Sequence, residues 1–150
     1  MTKLFSIKEK FSKKIYDKDK LVEFRRQNIN IKDNEICLIY TTSPIKKITG
    51  YFVVKKKIRA SLNQLWELTK NIAGISFSEF KDYFKNCLEG TAIVFKKAKE
   101  FSSKISLEEL QKKFNGFRPP QSYYNLNDDF IKIYLRYISK NEKLILFSNV

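Results

Sequence analysis

Strand-like and helix-like runs follow one another along this chain without the regular strand-helix-strand spacing of a doubly wound sheet, and that order is its strongest constraint on fold. The strand-like runs are KLFSI (3–7), KLVEFRRQ (20–27), EICLIYTT (35–42), Ile48 to Ile58 and Gly90 to Phe101, rich in β-branched and aromatic residues. The helices between them are short and announce their starts. Ser61-x-x-Gln64, Ser76-x-x-Glu79 and Ser106-x-x-Glu109 each match a capping box, in which the serine and the later side chain satisfy orphan amide donors. The pattern predicts an α+β domain built on a small, mostly antiparallel β-barrel flanked by short α-helices.

Within that frame, residues 8–16 are expected to be helical, with Ile7, Phe11 and Ile15 on one face. The helix after Ser61 should bury Leu62, Leu65, Trp66 and Thr69, and the one after Ser76 should bury Phe77, Phe80, Phe84 and Cys87. The third ends before Asn115-Gly116. Gly50 inside a strand marks a bulge or a close backbone approach. Residues 128–138 fit a helical stripe of Phe130, Ile133, Tyr134, Tyr137 and Ile138, and also a strand alternation of Ile131, Ile133, Leu135 and Tyr137. Asp128 and Asp129, preceded by Asn-Leu-Asn, favour the helix. The closing LILFSNV reads as a strand or a packed tail.

A length of 150 residues with 43% hydrophobic content suits one domain, with its core in 3–126 and a C-terminal extension in 127–150. A net charge of +14 exceeds what solubility needs and points to an anionic partner, RNA or another single-stranded nucleic acid. The competing explanation is AT-rich coding, because twenty-five of the thirty basic residues are lysine. No run approaches the roughly 18 to 20 apolar residues of a membrane span, and MTKLFSIKEKF has no signal-peptide core, so a cytoplasmic protein with no membrane partner is expected. Cys37 and Cys87 lack C-x-x-C spacing and read as buried thiols. The chain has no histidine, which excludes Ser-His-Asp and Cys-His catalysis and histidine metal sites; no metal or cofactor is expected.

Lys18-Asp19-Lys20-Leu21-Val22-Glu23-Phe24-Arg25 resembles the G-x-K-x-x-E-x-R signature of ASCH domains, a PUA-like family. LFSIKEKFSKKI, IYTTSPIKKITGYF, LWELTKNIAGISFSEFKDYF and FRPPQSYYNL resemble, in order, segments of bacterial, archaeal and phage-type stand-alone ASCH proteins, over most of 3–126. Lys18 stands where the signature has glycine, so Asp17 or Asp19 is expected to take the positive φ of that turn.

The resemblance implies a PUA-like barrel with a cleft beside the signature strand, and a function with RNA or modified nucleotides, regulatory or in RNA metabolism. It gathers Lys20, Glu23 and Arg25 at that cleft, where a carboxylate accepts from a base amino group while cations hold phosphate; Lys8 and Arg26, the latter adjacent to Arg25, are further candidates for nucleic-acid binding. The plain alternative is an intrastrand Glu23–Arg25 ion pair on a solvated face. Thr41, Thr42 and Ser43 fall in a loop the family places at the rim, and Lys46, Lys47 and Lys55 to Lys57 could track phosphates. Arg118, Gln121, Ser122 and Tyr123, stiffened by two prolines, offer a guanidinium fork, an amide, a hydroxyl and a stacking face; the alternative is a strap packed on the barrel. Trp66 and the phenylalanines are assigned to the core.

Binding without catalysis is the leading reading, with no protein partner indicated. A metal-independent ribonuclease using Lys20, Glu23 and Arg25 is the enzymatic alternative. Some ASCH-like proteins are acetylcytidine amidohydrolases with a lysine, threonine and glutamate set. Those positions are Lys20, Glu23 and the neighbourhood of Ala73 here, so two of the three groups are missing. A protein-binding adaptor is the remaining class.

Overall fold

The computed structural model describes residues 1–147. In chain order they form β1 (Lys3–Ile7), α1 (Glu9–Tyr16), β2 (Val22–Arg25), β3 (Ile36–Thr41), β4 (Lys47–Ser61), α2 (Leu62–Thr69), α3 (Phe77–Tyr83), β5 (Glu89–Ser106), α4 (Leu107–Lys113), β6 (Tyr123–Asn125), α5 (Asp128–Leu135) and α6 (Lys140–Phe147). The six strands make one curled sheet in the order β2-β5-β4-β3-β1-β6, a PUA-like half-barrel. Only β1 and β3 run parallel, Lys3 opposite Cys37 through Ile7 opposite Thr41, because α1 and β2 supply the crossover between them.

Alternation along the strands sorts three cores. Phe5, Ile7, Cys37, Ile39, Phe52, Val54, Ile93 and Phe95 line the concave face, and Ile15 of α1 closes over them with the half-buried Phe11. Leu4, Leu38, Tyr40, Tyr51 and Phe101 face the other way, against Leu110, Phe130, Tyr134 and Ile138. Val22, Phe24, Ala92 and Val94 pack on Leu65, Phe80 and Phe84. The alternation of Ala92 and Val94 against Ile93 and Phe95 along β5 therefore separates two cores.

Gly50 meets both of its expectations. The β4 registers with β3 and β5 shift beside it, and an added Cβ would lie 2.6 Å from Tyr16 Oη. The Ser76 box forms completely, Ser76 Oγ accepting from Glu79 N–H and Glu79 Oε1 from Ser76 N–H. Ser106 accepts from Glu109 N–H at 3.2 Å. Ser61, the last residue of β4 and in register with Glu89, makes no side-chain bond to α2 although its backbone, φ −56° and ψ 154°, is as extended as that of Ser76. Two burial expectations also shift: Phe77 is 47% exposed at the outer edge of α3, and Cys87 is half-buried. Leu62 and Trp66 are half-buried too.

In the C-terminal segment α5 is helical as expected, with Asn127 Oδ1 capping Phe130 N–H at 2.8 Å. The tail differs: residues through Phe147 form α6, which Glu142 anchors by accepting from Ser102 Oγ at 2.8 Å and Ser103 N–H at 3.0 Å. The last three residues of that expectation, 148–150, lie outside the described residues. Among the described residues no helix is long and apolar enough to cross a membrane.

Candidate functional site

The turn that opens β2 positions everything else. At the end of α1, Lys18 N–H bonds Ile15 C=O and Asp19 N–H bonds Lys14 C=O, which requires a left-handed residue between helix and strand. Lys18 itself takes that conformation, at φ 65°, and neither aspartate does. This corrects the expectation: the position, not the residue type, carries the geometry, and a side chain there costs about 1 kcal/mol.

Lys20 follows with 2% exposure. Its Nζ donates to Ala73 C=O at 2.9 Å and lies 4.8 Å from the centroid of Phe24. Gly74, at φ +65°, permits this, since an added Cβ would stand 2.5 Å from Lys20 Cβ. Burial pushes the Lys20 ammonium below its usual value; Glu23 pulls it back, while Lys14 and Arg25 add to the lowering. Lys20 thus supports the cleft from behind and is spent on a carbonyl.

Glu23 and Arg25 point to the concave face, opposite Val22 and Phe24. They are paired, Nη2 to Oε2 at 3.5 Å, but the pair is not a solvated surface one: the side chains are 12% (Arg25) and 9% (Glu23) exposed. Arg25 is held by the far edge of the sheet. Its Nη1 donates to Ser122 Oγ at 2.9 Å and Ser122 C=O at 3.3 Å, and Nη2 donates to Ser6 C=O at 3.0 Å. Glu23, only 7% exposed, accepts no hydrogen bond among the described residues. Buried carboxylates ordinarily accept several.

Around this carboxylate opens a cleft of about 510 Å³ lined by Lys8, Lys10 and Phe11 of the α1 end, Glu23 and Arg25 of β2, Arg26 just after it, Glu79, Asp82 and Tyr83 of α3, and Gln121. The Arg26 guanidinium carbon lies 4.1 Å from the Tyr83 ring centroid, and its Nε donates to Tyr83 C=O at 2.9 Å. The structure therefore brings together Lys8, Glu23, Arg25, Arg26 and Gln121 of the expected residues, with Lys20 beneath and Ser122 bonded to Arg25. Tyr123 is half-buried and stacked on Phe5 at 5.2 Å, a strap residue. Thr41 faces a separate cavity of about 380 Å³, where its Oγ1 donates to Ser12 Oγ and meets Thr49 Oγ1 at 2.7 Å. Thr42 N–H bonds Ile7 C=O, Ser43 and Lys46 are exposed in the loop after β3, and Arg118 lines a cavity between α4 and α5. Lys10, Glu79, Asp82 and Tyr83 were not signalled by the sequence; α3 reaches the cleft only through tertiary packing.

No family model matches the chain. An ASCH domain-containing ribonuclease of Zymomonas mobilis subsp. mobilis is 29% identical over 119 residues, 79% of this chain and 80% of that protein. The crystal structure of ASCH from Zymomonas mobilis superposes with a TM-score of 0.84 and 26% identity over 91% of this chain and 95% of that one. In sequence and in fold the chain is similar to ASCH-domain proteins. The N-terminal domain of Staphylothermus marinus McrB is 9% identical with a TM-score of 0.53, a likeness of fold alone. Here the residues that match the ASCH signature divide by role: Lys20 and Arg25 are tied to the protein's own carbonyls and hydroxyl, while Glu23 is left facing the cleft.

Proposed function

We propose that this domain holds an unpaired nucleotide of an RNA strand in the β2–α3 cleft, with Glu23 and Arg26 toward the base and Lys8 and Lys10 toward phosphate. The observation that carries the reading is Glu23, a 7% exposed residue whose carboxylate accepts no hydrogen bond among the described residues, set in a cleft whose mouth carries exposed cations. The net charge of +14 and the ribonuclease among its relatives support RNA as the strand. In a titration of a labelled single-stranded RNA, Lys8→Glu and Arg26→Glu are each expected to weaken binding about tenfold or more. Unchanged affinity in both would move the site elsewhere, and absence of RNA binding by the parent would favour a protein-binding adaptor.

A second reading, cleavage of the bound strand, is favoured by the name of the Zymomonas relative. Glu23 takes the 2′-hydroxyl proton as the 2′-oxygen bonds phosphorus, the cations meet the charge on the phosphorane oxygens, and the P–O5′ bond breaks as the departing 5′-oxygen takes a proton from an exposed lysine. Shortened products on a denaturing gel, lost in Glu23→Gln, would establish it. The amidohydrolase reading gains nothing here: Ala73 does come within 2.9 Å of Lys20 Nζ, but it offers a carbonyl oxygen and a methyl group where a carboxylate is required.

A further inference from the structure

We infer that the cleft selects guanine, a reading that rests on the nucleotide-binding proposal and names the base. The β2 ladder holds the Glu23 backbone opposite Ile93, the side chain lines the cleft, and among the described residues its oxygens meet no donor other than the Arg25 guanidinium, 3.5 Å from Oε2. A carboxylate presents two acceptors side by side and is best met by two parallel N–H groups. Among the four common bases only guanine carries such a pair, N1–H and the N2 amino group, on its Watson–Crick edge. Adenine and cytosine each place one amino group beside a ring-nitrogen acceptor, so one carboxylate oxygen would face a lone pair. Uracil offers one N–H between two carbonyls, and both flanks repel. In a buried site an opposed lone pair is costly, which is what turns a preference into discrimination.

The walls suit the same ligand. The Arg26 guanidinium lies over the Tyr83 ring and is pinned there by its own Nε bond, while Arg59 Nη1 holds Arg26 C=O at 2.8 Å. That leaves a cationic plane lining the cleft, and an electron-rich purine stacks well on a guanidinium. Glu79 and Asp82 also line the cleft and would repel a phosphate placed deep within it. The phosphate therefore stays outside, beside Lys8 and Lys10, and the base enters.

The test uses the full chain and RNA pentanucleotides UUXUU in a fluorescence titration, with X set to G, A, C, U, inosine or N1-methylguanine. UUGUU is expected to bind about tenfold or more tighter than the all-uracil strand. Inosine, which keeps N1–H and lacks the amino group, should fall between them, and N1-methylguanine should lose the advantage entirely. Because these probes alter the ligand, the result does not depend on a variant that folds. Glu23→Gln should then level the strands. Equal affinity for all, or a preference for A, C or U, overturns guanine selection and leaves nucleotide binding in place, whereas no binding by any strand overturns both.

Discussion

Arg25 sits on one edge strand of the sheet and donates to groups at the other edge, Ser6 of β1 and Ser122 just before β6. Among the described residues no backbone ladder joins β2 to β6, and this side chain bridges the two edges of the half-barrel at the cleft. It also lies 5.2 Å from the Phe5 centroid and is the only ion-pair partner of Glu23 among the described residues. Reading Arg25 from the sequence as a ligand-facing fork predicts that its loss barely changes stability. The structure predicts otherwise. Arg25→Ala strands a buried carboxylate and releases two carbonyls and a hydroxyl, so it should cost about 2 to 4 kcal/mol in urea unfolding. A midpoint equal to that of the parent would show that the edges are held by packing alone.

Two helices with the same start signal behave differently, and the difference lies in the side chains. Ser76 follows the α2–α3 loop, and both reciprocal bonds of its box form. Ser61 is the last residue of β4, and its side chain bonds no amide of α2. Ser76→Ala is therefore expected to lower stability by about 1 kcal/mol, and Ser61→Ala by a few tenths at most. Thermal melts of the two variants measure this directly. Equal losses would mean that a capping bond forms at Ser61 in solution. The Ser76 cap also matters for the cleft, because α3 carries Glu79, Asp82 and Tyr83 into its wall.

For the molecule as a whole, the net charge of +14 is spread far beyond the cleft: Lys55, Lys56, Lys96 and Lys99 are all exposed on β4 and β5. Salt dependence separates the two contributions. If only Lys8 and Lys10 neutralise phosphates, log affinity for single-stranded RNA should fall against log salt with a slope of roughly −1.4, at about −0.7 per phosphate. A much steeper slope would show that the lysine face of β4 and β5 also follows the strand, and a flat response would remove nucleic acid as the partner.

Legibility followed the range of the interactions involved. The strand alternation, the Gly50 bulge, the Asn127 cap and the signature strand were readable because each is set by residues within a few positions of one another. So was the placement of Glu23 and Arg25 on one face, since a strand repeats every two residues. What those two side chains do there was not readable. Arg25 is committed to Ser6 and Ser122, Lys20 to Ala73, and Tyr83 to Arg26 by contacts between segments 19 to 97 positions apart. A local pattern reports which way a side chain points, but the donor or acceptor it meets is supplied by the curl of the sheet. In this chain that curl satisfies the lysine and the arginine and leaves the carboxylate between them open to a ligand.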